Sequence, residues 1–128
     1  MRAVVLVFSI ALTVSLAGCS SARPSDGGNF GSVAELKAAY ESAGGECSDW
    51  TQGNKVTAAA ESGECDSDTV LSTYASDGDK QTAVANLKSL SDLIGGVTFL
   101  VGGNWIINDS DAANLQKKLG GTVVDTTK

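Results

Sequence analysis

Val97-Thr98-Phe99-Leu100-Val101-Gly102-Gly103-Asn104-Trp105-Ile106-Ile107 places a β-branched and aromatic run on each side of a Gly-Gly-Asn break, the pattern of an antiparallel hairpin. Upstream, Ser76-x-x-Asp79 opens a helix with Ala83, Leu87, Leu90 and Ile94 at helical spacing, and Gly95-Gly96 stops it just before the first strand. Downstream, a shorter helix runs from about Ser110 to Leu119 and ends at Gly120-Gly121. Thr122 to Val124 then offers a short edge strand.

The N-terminal half uses the same grammar. Ser32 and Glu35 form a capping box, Val33, Leu36, Tyr40 and Ala43 share one face, and Gly44-Gly45 closes the helix. Lys37 and Glu41 pair on the wet side. Two strand-like stretches follow, a weak one of small residues from Val56 to Ser62 and a well-alternating one from Thr69 to Tyr74. Val33-Ala34-Glu35-Leu36-Lys37 lines up with Val84-Ala85-Asn86-Leu87-Lys88, and the two glycine pairs line up as well. This is either an internal helix–strand–strand repeat or two similarly capped amphipathic helices. The expected class is α+β: an antiparallel sheet of about four strands, covered on one face by two or three helices, in the order α-β-β-α-β-β-α.

Before Ser32 the chain changes character. Arg2 precedes an apolar run from Ala3 to Ser15, and Leu16-Ala17-Gly18-Cys19 closes it. A run of about 13 residues suits a signal h-region and falls short of the ~20 that a spanning helix needs. The four-residue motif resembles the lipobox of bacterial lipoproteins, and with the polar stretch after it and the alanine-, glycine- and aspartate-rich composition it is similar to small exported lipoproteins of actinobacteria. The resemblance implies removal of residues 1–18, a diacylglyceryl group on Cys19 with possible N-acylation (palmitate being the usual kind of chain), and a protein held on the cell membrane facing the extracytoplasmic side. It brings no activity with it. Residues 19–31, polar and holding the only proline, read as a lipidated flexible tether on which Phe30 could already touch the domain. Residues 32–128 form one globular domain.

The chain carries 15 acidic and nine basic residues and no histidine; losing Arg2 leaves a formal charge near −7, which opposes nucleic-acid binding and adhesion to anionic headgroups. With Cys19 lipidated, Cys47 and Cys65 are an even pair in an exported domain and are expected to form a disulfide. The resulting loop should stabilise the fold by about 3 kcal/mol.

Candidate sites are sparse. Without histidine, Ser-His-Asp, Cys-His and His-based zinc sites are excluded, and no Ser-x-x-Lys occurs. No catalytic residue, cofactor or metal is therefore expected. Glu64, Asp66 and Asp68 are the densest carboxylates, but their spacing departs from the EF-hand and fits a solvated turn beside the disulfide. Asp109 and Asp111 suit a helix start. Trp50, three residues after Cys47, either shields the disulfide or anchors a ligand. Trp105 with Gly102, Gly103 and Asn104 forms the candidate contact surface, since glycines allow close backbone approach and tryptophan offers a large amphipathic area.

The expected function is a membrane-anchored binding or interaction module at the cell envelope, its partner an envelope protein or a small ligand. The alternatives are a minor envelope enzyme working through carboxylates and a phage-type superinfection exclusion lipoprotein. A cleft holding two carboxylates would favour the enzyme. An exposed apolar patch or an open sheet edge would favour the binding module.

Overall fold

The structure, a computed structural model, describes residues 23–127. The expectations for the signal segment and for Cys19 lie outside the described residues.

Among these residues the chain runs α1 (Val33–Ser42), β1 (Trp50–Gln52), β2 (Glu61–Cys65), β3 (Thr69–Thr73), α2 (Asp77–Ile94), β4 (Thr98–Val101), β5 (Trp105–Asn108), α3 (Ala112–Leu119) and β6 (Thr122–Asp125). The strands form one antiparallel sheet in the order β1-β2-β3-β5-β4-β6. The α+β class stands, with six strands instead of about four.

The hairpin is the centre of the sheet. Leu100 stands opposite Ile107 and Val101 opposite Ile106, and β3 adds to the far side of β5 with Leu71 against Ile107. The period of two sorts these residues onto two faces. Leu71, Leu100, Trp105 and Ile107 join Val33, Leu36 and Tyr40 of α1 and Ala112, Leu115 and Leu119 of α3 in one core. Phe99 and Ile106 point the other way and meet Tyr74 and Ala83, with Val84 and Leu87 of α2 packed alongside. Helices therefore cover both faces, α1 and α3 on one and α2 on the other, where one covered face was expected. The cause is the central strands themselves: Phe99 and Ile106 are as apolar as Leu100 and Ile107, so neither face can stay in water.

The helix ends follow their caps. Ser32 Oγ accepts from Glu35 N at 3.2 Å, and Ser76 Oγ accepts from Asp79 N at 3.1 Å. Glu35 does not close its own box on Ser32; its carboxylate accepts from Gly31 N at 2.8 Å, and Glu61 of β2 takes the α1 amide of Val33 at 2.7 Å. Gly95 ends α2 in the left-handed region at φ 89°.

Three expectations need correction. The stretch Val56 to Ser62 is a loop up to Ala60; the strand starts at Glu61, and an unanticipated short strand, β1, pairs outside it. Three alanines in a row lack the β-branched bulk that would favour pairing, and Ser62 Oγ instead organises the loop, accepting from Lys55 N and Val56 N and donating to Gly53 O. The apparent internal repeat is not a structural one, because α1 precedes three strands on one face and α2 precedes two on the other. Residues 24–31, expected within a flexible tether, lie against the domain: Gly121 N donates to Ser25 O at 2.9 Å, and Phe30 meets the Trp105 ring edge-on with centroids 6.0 Å apart.

Cys47 and Cys65 are bonded, with their Cα atoms 4.8 Å apart. Trp50 stands opposite Cys65 in the β1–β2 ladder and its ring covers Gly63, beneath the Lys37 ammonium at 5.9 Å.

Candidate functional site

The proposed contact surface is already occupied by the chain itself. Trp105 is fully buried, and its Nε1–H donates to Gly28 O at 3.0 Å. Asn104 grips Phe30 at two points, Oδ1 accepting from its N–H at 2.9 Å and Nδ2 donating to its carbonyl at 2.8 Å. Gly102 is buried against the indole, where a Cβ would overlap the ring, and Gly103 abuts Gly28 and Asn29. Gly27, at φ 79°, turns the segment so that its Cα seats on the same indole. Trp105, Gly102, Gly103 and Asn104 do come together, as the dock for residues 24–31. They are not a surface open to a partner.

The carboxylates also have structural work. Asp66, at φ 58°, accepts from Ser48 N and Asp49 N and closes the turn beside the disulfide. Glu64 pairs with Lys55 at 2.9 Å, so it does not join Asp66 and Asp68 in one ligand set. Among the described residues no group of three or more His, Cys, Asp or Glu is placed to hold a metal ion. Asp109 lines a polar depression of about 610 Å³ with Tyr40, Asp66, Asp68 and Asp111. Its carboxylate accepts from Tyr40 Oη at 2.6 Å, Thr69 Oγ1 at 3.4 Å and Asp111 N at 2.7 Å, which ties α1, β3 and the start of α3 together. Burial, and then the bond to Asp109, push the Tyr40 hydroxyl up to about 12. A carboxylate so committed has few lone pairs left for a substrate.

A second open feature, mainly apolar, lies beneath α2. The helix is tied to the sheet at its N-terminal end, where Lys80 Nζ donates to Gly102 O at 3.0 Å and pairs with Asp77 at 3.1 Å; at the other end the Gly95 and Gly96 amides cap the helix's own Ser91 O. Along its length only Ala83 and Ser91 are buried. The stripe Ala83, Leu87, Leu90, Ile94 does not close on the sheet. Leu87 is half-buried, Leu90 is 46 % exposed, Leu93 82 % and Ile94 59 %. A fully buried Leu or Ile is worth roughly 1.5–3 kcal/mol, so a helix that leaves three such side chains largely in water forgoes substantial stabilisation.

The gap so left is a groove of about 310 Å³. Val70, Ser72, Ile106 and Asn108 form its floor, from the face of β3 and β5 opposite the main core. Ala83, Leu87 and Leu90 form one wall, and Lys55, Val56 and Ala58 of the loop before β2 form the other. Six of the thirteen lining residues are polar, and three of them have side-chain partners: Ser72 Oγ and Tyr74 Oη lie 2.9 Å apart, Ser72 also donates to Ile106 O at 3.3 Å, and Lys55 pairs with Glu64. Burial raises the Tyr74 hydroxyl above its ordinary value.

Sequence reasoning did not find this site. Its signal was present in two places: Leu90, Leu93 and Ile94 are more large apolar residues than one face of a helix end can bury, and Ala58-Ala59-Ala60 are small residues that leave room where a strand was expected. Compared with known protein families, with curated proteins and with solved structures, the chain matches none of them.

Proposed function

We propose that the chain is an extracytoplasmic lipoprotein, anchored to the cell membrane through Cys19, that works as a binding module through the groove beneath α2 and carries out no chemistry of its own. The groove is the observation that carries this reading. It is concave and mainly apolar with a few polar groups in its lining, as small-molecule sites are, and it forms where α2 is held at its N-terminal end by Lys80 and poorly seated beyond it. The anchoring rests on the Leu16 to Cys19 motif, and the disulfide fits an oxidising compartment. The competing enzyme reading has the polar depression at Asp109 in its favour. There the carboxylate is committed to three intramolecular donors, and the chain has no histidine to serve as a base.

Two measurements test the two halves. Fractionation with protease shaving of intact cells should find the wild-type chain on the membrane and accessible from outside, and should find Cys19→Ala released or unprocessed. A Cys19→Ala chain that is processed and membrane-bound as before contradicts the anchor. Hydrogen exchange over residues 83–94 should be slower in the native envelope than in the purified protein; equal exchange in both contradicts binding at α2.

A further inference from the structure

Building on the binding reading above, we infer that the groove beneath α2 takes a neutral, mainly hydrocarbon small molecule of roughly a dozen non-hydrogen atoms, ending in one hydrogen-bonding group. The size follows from the volume. About 310 Å³ corresponds to roughly ten water molecules at ~30 Å³ each, near the lower end of the range for small-molecule sites. Water fits badly against its apolar part, while Lys55, Thr57, Ser72, Tyr74, Asn86 and Asn108 place polar groups at the other lining positions. A held water needs two to four polar partners, whereas Val56, Ala58, Val70, Ala83, Leu87 and Ile106 supply none through their side chains. Poorly held water is what an apolar ligand displaces with gain.

The charge of the ligand follows from the walls. Lys55 is the one charged residue lining the groove, and its ammonium already lies 2.9 Å from Glu64 Oε2. An anionic head would have to compete with that carboxylate on a chain of net charge −6, and a cationic head would meet the lysine. Neutral donors and acceptors remain: the Asn86 and Asn108 carboxamides and the Ser72–Tyr74 hydroxyl pair. A hydroxyl, amide or carbonyl can be met by these without burying an unpaired charge. A peptide strand is a poor occupant, because β3 and β5 are paired along both edges at the floor and have no open backbone groups to extend.

The test uses N-phenyl-1-naphthylamine, a neutral fluorophore of suitable size, with the exported full-length Cys19→Ala protein handled without detergent. Saturable enhancement at one probe per chain is expected, with 1-decanol displacing the probe at least about tenfold better than decanoate or decyltrimethylammonium. Ala58→Phe and Leu87→Trp, which fill the groove from opposite walls, should each weaken binding about tenfold or more; Leu93→Ser, outside the lining, should change it less than about twofold. Circular dichroism and the unfolding midpoint establish that each variant is folded, and either filling variant suffices if the other is not. Absence of saturable binding, equal binding by the folded filling variants, loss on Leu93→Ser alone, or preference for a charged chain overturns the inference. If α2 is protected in the envelope and the neutral probes fail, the ligand class is wrong and the binding module stands.

Discussion

Trp105 Nε1 lies 3.0 Å from the carbonyl oxygen of Gly28, so the indole at the base of the central hairpin is sealed by a segment 77 residues earlier in the chain. Residues 24–31 therefore belong to the folded domain, and the reach of any tether begins before them. Deleting residues 1–31 should lower stability by about 2–4 kcal/mol relative to deleting residues 1–22, because it uncovers Trp105 and leaves its N–H and the Asn104 amide without partners. Urea unfolding of the two truncations decides. In a Trp50→Phe background the longer chain should show blue-shifted Trp105 emission resistant to aqueous quenchers.

Gly102 should tolerate no side chain. A Cβ there overlaps the Trp105 ring, and the neighbouring backbone is held by the Gly102 N to Trp105 O bond at 2.8 Å. Gly102→Ala is expected to destabilise the domain by about 1–3 kcal/mol, measured by the urea midpoint. Gly53, whose Cβ position has nothing within 4 Å, is the control, and Gly53→Ala should change little.

Reduction of the Cys47–Cys65 bond should lower Tm by about 10 °C or more, since about 3 kcal/mol is a large share of a small domain's stability. Calorimetry with and without reductant measures it. Trp50→Ala, which removes the ring beside Gly63 on the strand opposite Cys65, should speed reduction of the bond by dithiothreitol.

The Tyr40–Asp109 bond predicts an alkaline limb. A phenol held up at about 12 when folded and near 10 when unfolded keeps its proton longer in the native state, so native chains bind more protons above the unfolded value. Its contribution is complete below about pH 10 and is lost as pH rises from there through about 12. Tyr40→Phe should flatten that part of the stability profile. At pH 7 it should cost about 1–3 kcal/mol, from the lost bond to a carboxylate.

How much of this was legible depended on whether a feature was local. Ser32, Ser76, Gly95 and Gly120 mark helix ends through bonds within a few residues, and α1, α2 and α3 start or stop where those residues stand. Gly102-Gly103-Asn104 likewise fixed the hairpin. The loop from Gly53 to Ala60 was not legible, because its shape is set by Ser62 Oγ, a polar atom whose partners cannot be known until β2 is in place. Trp105 misled for a related reason: its partner, Gly28, lies in a stretch whose glycines and serines read as loose chain. The groove was hidden in a periodicity that looked complete, since Ala83, Leu87, Leu90 and Ile94 fall on one helical stripe without showing that only its first member is buried.

Native mass spectrometry of the protein extracted from its own envelope tests binding beneath α2 most directly. The wild-type chain is expected to carry a small non-covalent, neutral adduct at one per chain, and the folded Ala58→Phe chain to lack it. A wild-type chain as free of adduct as the variant, or an adduct equally retained by both, would contradict the account.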